Sequence, residues 1–184
     1  SPTITAEIAA LPEVEEVLAM QLSDEGLRTV VDQKVKRVYS ADLTSVPKYF
    51  NIDLIDMDAS LIGNNAIYLH EDEAKKYGVV VGATLDVEFV DQSQRALDVA
   101  GIFTSKSIID SGWLLDSSVY ASNENLVPKS DDFVGVLVKD GVSEQNARVA
   151  INAVLEGYEQ VEAKTKAEFE DEAQDQIDQT LTVV

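Results

Sequence analysis

The segment from Tyr68 to Phe103 constrains the fold more than any other part of the chain. It begins with a short apolar strand and continues into a short polar helix from Glu71 to Tyr77. Gly78 follows this helix, where glycine readily takes the left-handed conformation that ends helices. Two stretches of alternating apolar and polar residues then flank the turn sequence DQSQR. The segment therefore predicts a strand, a helix and a half-buried antiparallel hairpin, in that order.

The residues before this segment predict a helix followed by short strands. Ile4, Ile8 and Leu11 recur at helical spacing, and Pro12 is expected to stop the helix. The sequence SDEG is a turn signal, and it predicts a break between the first two strands. The predicted strands are a segment near Leu18 to Leu22, Arg28 to Val31, Lys34 to Tyr39 and Ala66 to Leu69. The sequence VPKYFNI predicts a one-turn helix.

The C-terminal third predicts a strand, a helix and a second strand. The apolar run from Phe133 to Val138 is typical of a buried strand, and Ser143 caps a helix that ends near Leu155. We expect a further strand from Tyr158 to Ala163, which would complete a βαβ unit. In the last helix, Thr165 and Glu168 form a capping box. Its apolar face is formed by Phe169, Ala173, Ile177 and Leu181.

Negative charge is the extreme compositional feature. The chain carries 34 aspartates and glutamates against 14 lysines and arginines, a net charge of −20. The electrostatic field of this negative charge repels nucleic acids and anionic membrane surfaces, so we expect neither as a partner. Solubility is the simpler interpretation of the acidity. No run reaches the roughly 20 apolar residues of a membrane-spanning helix.

The sequence gives little support for catalysis or metal binding. His70 is the single histidine and no cysteine is present, which argues against a hydrolytic triad and a structural zinc site. We interpret His70 as a capping or structural residue. Asn51, Asp53, Asp56 and Asp58 could offer oxygen ligands to calcium, but their spacing does not match a calcium-binding loop. A solvated acidic loop is the preferred interpretation.

The sequence SIIDSGWLL is the one candidate contact surface. It places the single tryptophan among large aliphatic residues in a segment, Ser105 to Ser118, that we predict to be a loop. Packing over a sheet edge is the first interpretation, and an exposed patch for a partner or substrate is the alternative. The residues of this candidate patch are Ile108, Ile109, Trp113 and Leu114.

The order of these features resembles the extracytoplasmic domain of MacB/FtsX-like ABC transporter permeases. The opening ITAEIAALPEVEEVLAMQ is similar to the family's helix, L-P-x-V-x-x-V sequence and strand. The central AIYLHEDEAKKYGVVVGATLDVEF resembles its strand, helix and G-x-x-x-G-x-x-L sequence, and LDVAGIF its next strand. FVGVLVKDGVSEQNARVAINAVL and VEAKTKAEFEDEAQDQI are similar to its late strand, helix, closing strand and final helix. The stretch DMDASLIGNN departs from the family pattern.

The resemblance implies an α+β fold of two small subdomains. Residues 1–42 and 129–184 would form a membrane-proximal subdomain that contains the βαβ unit and is built from both chain ends. Residues 43–128 would form an inserted subdomain rich in antiparallel strands. The chain begins abruptly and ends inside a predicted helix, so we expect it to be a piece of a longer permease whose membrane helices flank it.

The resemblance also implies a non-catalytic role in the cell membrane, on its extracytoplasmic side. The domain would couple ATP-driven motion of membrane helices to export of a substrate or to control of an extracytoplasmic partner. Its implied partners are a cytoplasmic ATPase subunit, an extracytoplasmic protein or peptide substrate, and a second permease copy or chain half. It implies no cofactor. A free-standing secreted binding or adhesion module is the alternative, and an uncharacterised hydrolase is a third reading.

Overall fold

The computed structural model describes residues 2–63, 65–105, 112–121, 126, 130–158, 160–169 and 171–172. The strands are β1 (Val14–Thr29), β2 (Val35–Ala41), β3 (Ile52–Met57), β4 (Ala66–His70), β5 (Thr84–Phe89), β6 (Gln94–Ser105), β7 (Trp113–Asp116) and β8 (Phe133–Val138). The helices are α1 (Pro2–Ala9), α2 (Val46–Tyr49), α3 (Glu71–Tyr77), α4 (Ser117–Ala121) and α5 (Glu144–Leu155), with a 3-10 helix at Ala59–Leu61. Residues 166–169 and 171–172 are helical. With Thr165 they are called the C-terminal segment.

Six strands form a closed sheet, in which each strand pairs with a neighbour on both sides. The order around the sheet is β1, β2, β7, β4, β6, β5 and back to β1. The β2–β7 and β4–β6 pairs are parallel, and the other pairs are antiparallel. β3 pairs with the end of β6, and β8 pairs with the N-terminal half of β1. This mixed sheet with flanking helices confirms the predicted α+β fold class.

Three hydrophobic cores follow from the alternation of side chains along the strands. The first is formed by one face of the closed sheet and includes Ile67, Leu69, Val87 and Trp113. Neighbouring strand residues face the other way, into a second core that joins the sheet to α2, β3 and β8. The third core packs α1 and α5 against β1 and β8. Helices near both chain ends therefore share one core with β8.

Local signals account for several elements that the sequence predicted. Gly78 ends α3 with a φ of 64°, which confirms the predicted left-handed cap. The Ser143 side chain accepts a hydrogen bond from the Asn146 amide and begins α5. The predicted hairpin is the β5–β6 pair. The helices α1 and α2 and the strands β4 and β8 also lie where the sequence predicted them.

The predicted turn at SDEG is wrong. β1 runs through this sequence without interruption, and only its pairing with β2 shifts register between Ser23 and Leu27. A Cβ atom on Gly26 would lie 2.1 Å from Cγ2 of Val38, so glycine lets the two strands approach each other here. The bulge accommodates the turn-forming residues inside a strand.

Three further predictions of local structure are corrected. The predicted acidic loop at 51–58 contains β3, and the predicted loop at 105–118 contains β7, because both sequences pair with strands of the sheet. The described residues of 158–163 form no strand, so the predicted βαβ unit is not completed there. Tyr158 and Ala163 pack instead against the core beneath α1 and α5.

Strand pairing links the two predicted subdomains closely. β2 pairs with β7, and Leu27 to Thr29 of β1 pair with β5. Residues 21–41 therefore share the closed sheet with strands from residues 43–128. The division into subdomains at residue 42 stays a prediction. The single strand β1 contributes side chains to all three cores.

Candidate functional site: the junction at residues 131–133

Elements from both ends of the chain meet at residues 131–133, which we call the junction. From α1, the Thr5 hydroxyl donates a 2.6 Å hydrogen bond to Oδ2 of Asp131. The Gln21 side chain of β1 donates to Oδ1 of the same carboxylate at 2.9 Å. From the C-terminal segment, the Phe169 ring lies 5.2 Å from the Phe133 ring. Three neighbouring residues thus hold α1, β1 and the C-terminal segment together.

A row of three phenylalanines connects the C-terminal segment to the second core. The ring of Phe133 lies 5.3 Å from that of buried Phe50, in addition to its contact with Phe169. Ring centroids at these distances attract each other by about 0.5–1.5 kcal/mol beyond the effect of burial. Phe133 therefore connects Phe169 to Phe50, the residue that follows α2 in the chain.

Two contacts fix α2 against β1 and β8. Lys48 donates to Oε2 of Glu16 at 2.8 Å, and this hydrogen bond lowers the pKa of Glu16 and raises that of Lys48. The Tyr49 ring lies over Gly135, where a Cβ atom would be only 2.5 Å from Cδ1 of the tyrosine. Burial raises the pKa of Tyr49. The absence of a side chain at residue 135 therefore sets how closely α2 approaches β8.

A small cavity of about 210 Å³ opens beside the row of phenylalanines. Its lining residues are Met20, Leu22, Tyr39, Phe50, Asp132, Phe133 and Phe169. Oδ2 of Asp132 accepts the Leu22 amide proton at 2.8 Å and ties the junction to β1. The walls are otherwise apolar, and the lining residues offer no nucleophile paired with a base.

The C-terminal segment begins at a well-formed cap. The Thr165 amide donates to Glu168 at 2.8 Å and the Glu168 amide donates to the Thr165 hydroxyl at 3.1 Å, which confirms the predicted capping box. The hydrogen bond from the Thr165 amide lowers the pKa of Glu168. Glu168 also pairs with Arg148 of α5 at 3.1 Å. Ala173, Ile177 and Leu181 of the predicted apolar face lie outside the described residues.

His70 has the structural role that the sequence predicted. It is the N-cap of α3, and its Nδ1 accepts the Asp72 amide proton at 3.3 Å. Its ring packs edge-on against Phe103 at 5.5 Å. In the described ranges, no group of three or more histidine, aspartate or glutamate residues could hold a metal ion. Asp58, one of the three aspartates considered for calcium, caps the 3-10 helix.

The structure describes two of the four residues of the candidate contact patch. Trp113 and Leu114 belong to β7 and are only 2% and 1% exposed, which fits the packing interpretation for these two. Trp113 donates from Nε1 to Oε2 of Glu73 at 2.9 Å, so its indole N–H is hydrogen-bonded within the protein. Ile108 and Ile109 lie outside the described residues, and for them the contact patch stays a prediction.

The junction itself was not predicted. The junction and its partners Thr5, Gln21 and Phe169 come from four separate stretches of the chain. The sequence pointed only to Phe133, as the first residue of an apolar strand, and to Phe169, as part of an apolar helix face. The sequence DDF at 131–133 gives one weak signal, because two carboxylates stand immediately before an apolar strand.

None of the described helices is both long and apolar enough to cross a bilayer.

Comparisons with known proteins identify the fold. No protein-family model matches the chain, and no curated protein sequence matches it. Among solved structures, the periplasmic region of MacB from Actinobacillus actinomycetemcomitans aligns over 100% of this chain and 83% of its own, with a TM-score of 0.63 at 14% identity. The extracellular domain of the noncanonic ABC-type transporter YknZ from Gram-positive bacteria aligns over 85% and 82%, with a TM-score of 0.59 at 12% identity.

A third solved structure gives the same result. A domain of a candidate permease protein from Porphyromonas gingivalis aligns over 88% of this chain and 77% of its own, with a TM-score of 0.55 at 22% identity. All three matches extend over most of both chains. The fold of this protein is therefore similar to that of extracytoplasmic domains of ABC transporter permeases, as the sequence resemblance predicted.

Proposed function

We propose that the chain is the extracytoplasmic domain of an FtsX-like ABC transporter permease and that it catalyses no reaction. It would carry ATP-driven motion of the membrane helices to an exported substrate or to a partner protein outside the membrane. The observation that carries the proposal is the convergence at the junction. Thr5 and Phe169, near opposite ends of the chain, contact Asp131 and Phe133 respectively.

The convergence suits a domain that is held at both ends. Two membrane helices connected to α1 and to the C-terminal segment would act on the same three residues of the folded body. Because protein interiors are close-packed, a shift imposed there passes to neighbouring elements instead of being absorbed. The path from Phe169 through Phe133 to Phe50 leads into the second core and so to the closed sheet.

The C-terminal segment acts as a lever in this proposal. Its capping box and the Arg148–Glu168 pair hold its first turn in a fixed direction relative to α5. A cytoplasmic ATPase subunit would supply the driving motion, with the permease working as a dimer or as one half of a two-part chain. We propose that the membrane-proximal unit consists of α1, the N-terminal half of β1, β8, α5 and the C-terminal segment.

Labelling of the intact protein in cells tests the proposed location. The chain has no cysteine, so Val149→Cys, at a position 61% exposed on α5, introduces a single thiol into the domain. A membrane-impermeant maleimide added to intact cells should label this variant. The matched control is Ala100→Cys, at a buried position, which should react only after denaturation. Labelling of Val149→Cys only after the cells are permeabilised would overturn the proposal.

A further inference from the structure

Exposed valines are concentrated at one end of the closed sheet. Val30, Val31 and Val35 lie in and beside the β1–β2 turn and are 38%, 75% and 45% exposed. Val80, 64% exposed, lies in the loop that leads into β5. This loop is at the same end, because the Asp86 carbonyl of β5 accepts the Val30 amide proton. We call these four residues the valine tip. They are four of the nine large hydrophobic side chains that are exposed among the described residues.

Hydrogen bonds to the Asp32 carboxylate hold the valine tip in one shape. Asp32, in the middle of the turn, accepts bonds from the Thr29 hydroxyl, the Lys34 amide and the Tyr77 hydroxyl. Its carboxylate also pairs with Lys76 of α3 at 3.1 Å. These contacts tie the turn to the end of α3, from which the chain continues to Val80. A surface fixed in this way loses little entropy on binding.

The chain segment that carries three of the four valines is basic, in contrast to the chain as a whole. Residues 28–37 contain four lysines and arginines and one aspartate, in a chain of net charge −20. Arg28 and Lys34 are exposed, and neither has a carboxylate within ion-pair distance among the residues that the structure describes. Apolar side chains flanked by unpaired cations favour a ligand that is both apolar and acidic.

The valine tip also lies away from the junction. From Met20, which pairs with Phe133, nine residues of β1 lead to Thr29 at the base of the turn. At about 3.3 Å per residue, the two positions are about 30 Å apart along the strand. A ligand at the valine tip would therefore leave the junction uncovered.

We propose that the valine tip is a docking surface for an acidic amphipathic segment of a partner protein. The valines would pack against its apolar face, and Arg28 and Lys34 would pair with its carboxylates. A lipid surface fits less well, because the tip carries none of the tryptophan, phenylalanine or leucine residues that enter the interface, and the net charge is repelled by anionic lipid. The inference does not depend on the chain being part of a permease.

A titration of the isotope-labelled 184-residue chain tests this inference. The probe is a helical peptide with leucines on one face and glutamates on the other, followed by amide chemical shifts at low and at high salt. We expect saturable shifts at residues 28–36 and 78–82 that weaken with salt. The same peptide with lysines in place of glutamates should not bind, and vesicles of anionic phospholipid should leave these amides unchanged.

Variants distinguish binding at the valine tip from nonspecific binding elsewhere on the protein. Val31→Asp with Val80→Asp should weaken the affinity for the peptide about tenfold or more, as expected for central contact residues. Val90→Asp is the matched control, since Val90 is 64% exposed in the turn at the opposite end of β5, and it should retain the affinity. Arg28→Glu with Lys34→Glu should weaken binding mainly at low salt. Thermal unfolding of each variant checks that it is folded.

Three results would overturn the inference. The first is the absence of saturable shifts, and the second is an equal loss of affinity in Val90→Asp. The third is binding of anionic vesicles, but not of the acidic peptide, through the same amides, which would assign the surface to a membrane. None of these results bears on the location of the domain, which the maleimide labelling tests separately.

Discussion

The ring of Phe169 packs against the ring of Phe133 at a centroid distance of 5.2 Å, and this contact joins the C-terminal segment to the first residue of β8. Phe133 in turn contacts Phe50 at 5.3 Å. A helix near the end of the chain is thus connected to the core that supports the closed sheet.

Phe169→Ala should loosen the C-terminal segment and leave the rest of the fold intact. The variant removes one aromatic contact, so the free energy of opening the C-terminal segment should fall by about 0.5–1.5 kcal/mol. Amide hydrogen exchange at residues 166–169 should become faster, while exchange in the closed sheet should not change. Phe169→Leu, which keeps an apolar contact, should show a smaller effect. Unchanged exchange at 166–169 in Phe169→Ala would show that the ring contact does not hold the segment.

Gly135→Ala should destabilise the protein by about 1–3 kcal/mol, the usual cost of forcing an extra group into a packed site. The added Cβ would lie 2.5 Å from the Tyr49 ring, so α2 would have to move away from β8. Gly157→Ala is the control, because a Cβ there meets no atom within 4 Å. Chemical denaturation measures both effects. Equal stability of the two variants would contradict the close approach of Tyr49.

Glu73→Ala should lower the free energy of unfolding by about 1–3 kcal/mol, because it removes the carboxylate that accepts hydrogen bonds from two largely buried donors. Glu73 accepts bonds from Lys36 Nζ at 3.0 Å and from Trp113 Nε1 at 2.9 Å, and the Lys36 side chain is only 11% exposed. Glu71→Ala on the same helix removes an exposed pair with Lys75 and should lower the free energy of unfolding much less. Unfolding by urea measures the difference, and near-ultraviolet spectra should report the change around Trp113.

The contribution of Asp32 to the stability of the fold should disappear in acid. A hydrogen bond from Thr29, supported by bonds from Lys34, Lys76 and Tyr77, holds the pKa of the Asp32 carboxyl well below its ordinary value of 3.8. Its stabilising effect is therefore complete above the unfolded-state pKa and is lost as the pH falls through the lower folded-state pKa. Asp32→Asn should have a lower melting temperature than the parent at pH 7. The difference should shrink as the pH falls below about 4. A constant difference from pH 7 to strong acid would contradict the assigned hydrogen bonds.

Local chemistry in the sequence was sufficient to predict elements with strong end signals. Gly78, Ser143 and the Thr165–Glu168 capping box each fix an element end through contacts within a few residues, so the sequence shows them directly. The alternation along β5 and β6 likewise predicted their hairpin. The ordered set of such signals also led to a fold resemblance that the solved structures confirm.

Contacts between distant residues could not be predicted in the same way. Gly26 reads as part of a turn, and only its approach to Val38 on the neighbouring strand keeps β1 continuous. Trp113 reads as a loop residue, because its partners Glu73 and Lys36 are far away in the sequence. The junction depends on Thr5, Gln21 and Phe169 reaching residues 131–133, and no periodicity within a single segment encodes that meeting.

Distance measurement in the intact protein, together with the proposed ATPase subunit in lipid nanodiscs, tests the proposed coupling most directly. Spin labels at Val149→Cys on α5 and Val90→Cys in the β5–β6 turn would report on the membrane-proximal unit and the closed sheet, at positions 61% and 64% exposed. We predict that ATP shifts the distribution of distances between the two labels and that ADP reverses the shift. Identical distributions with ATP, with ADP and without nucleotide would contradict the account.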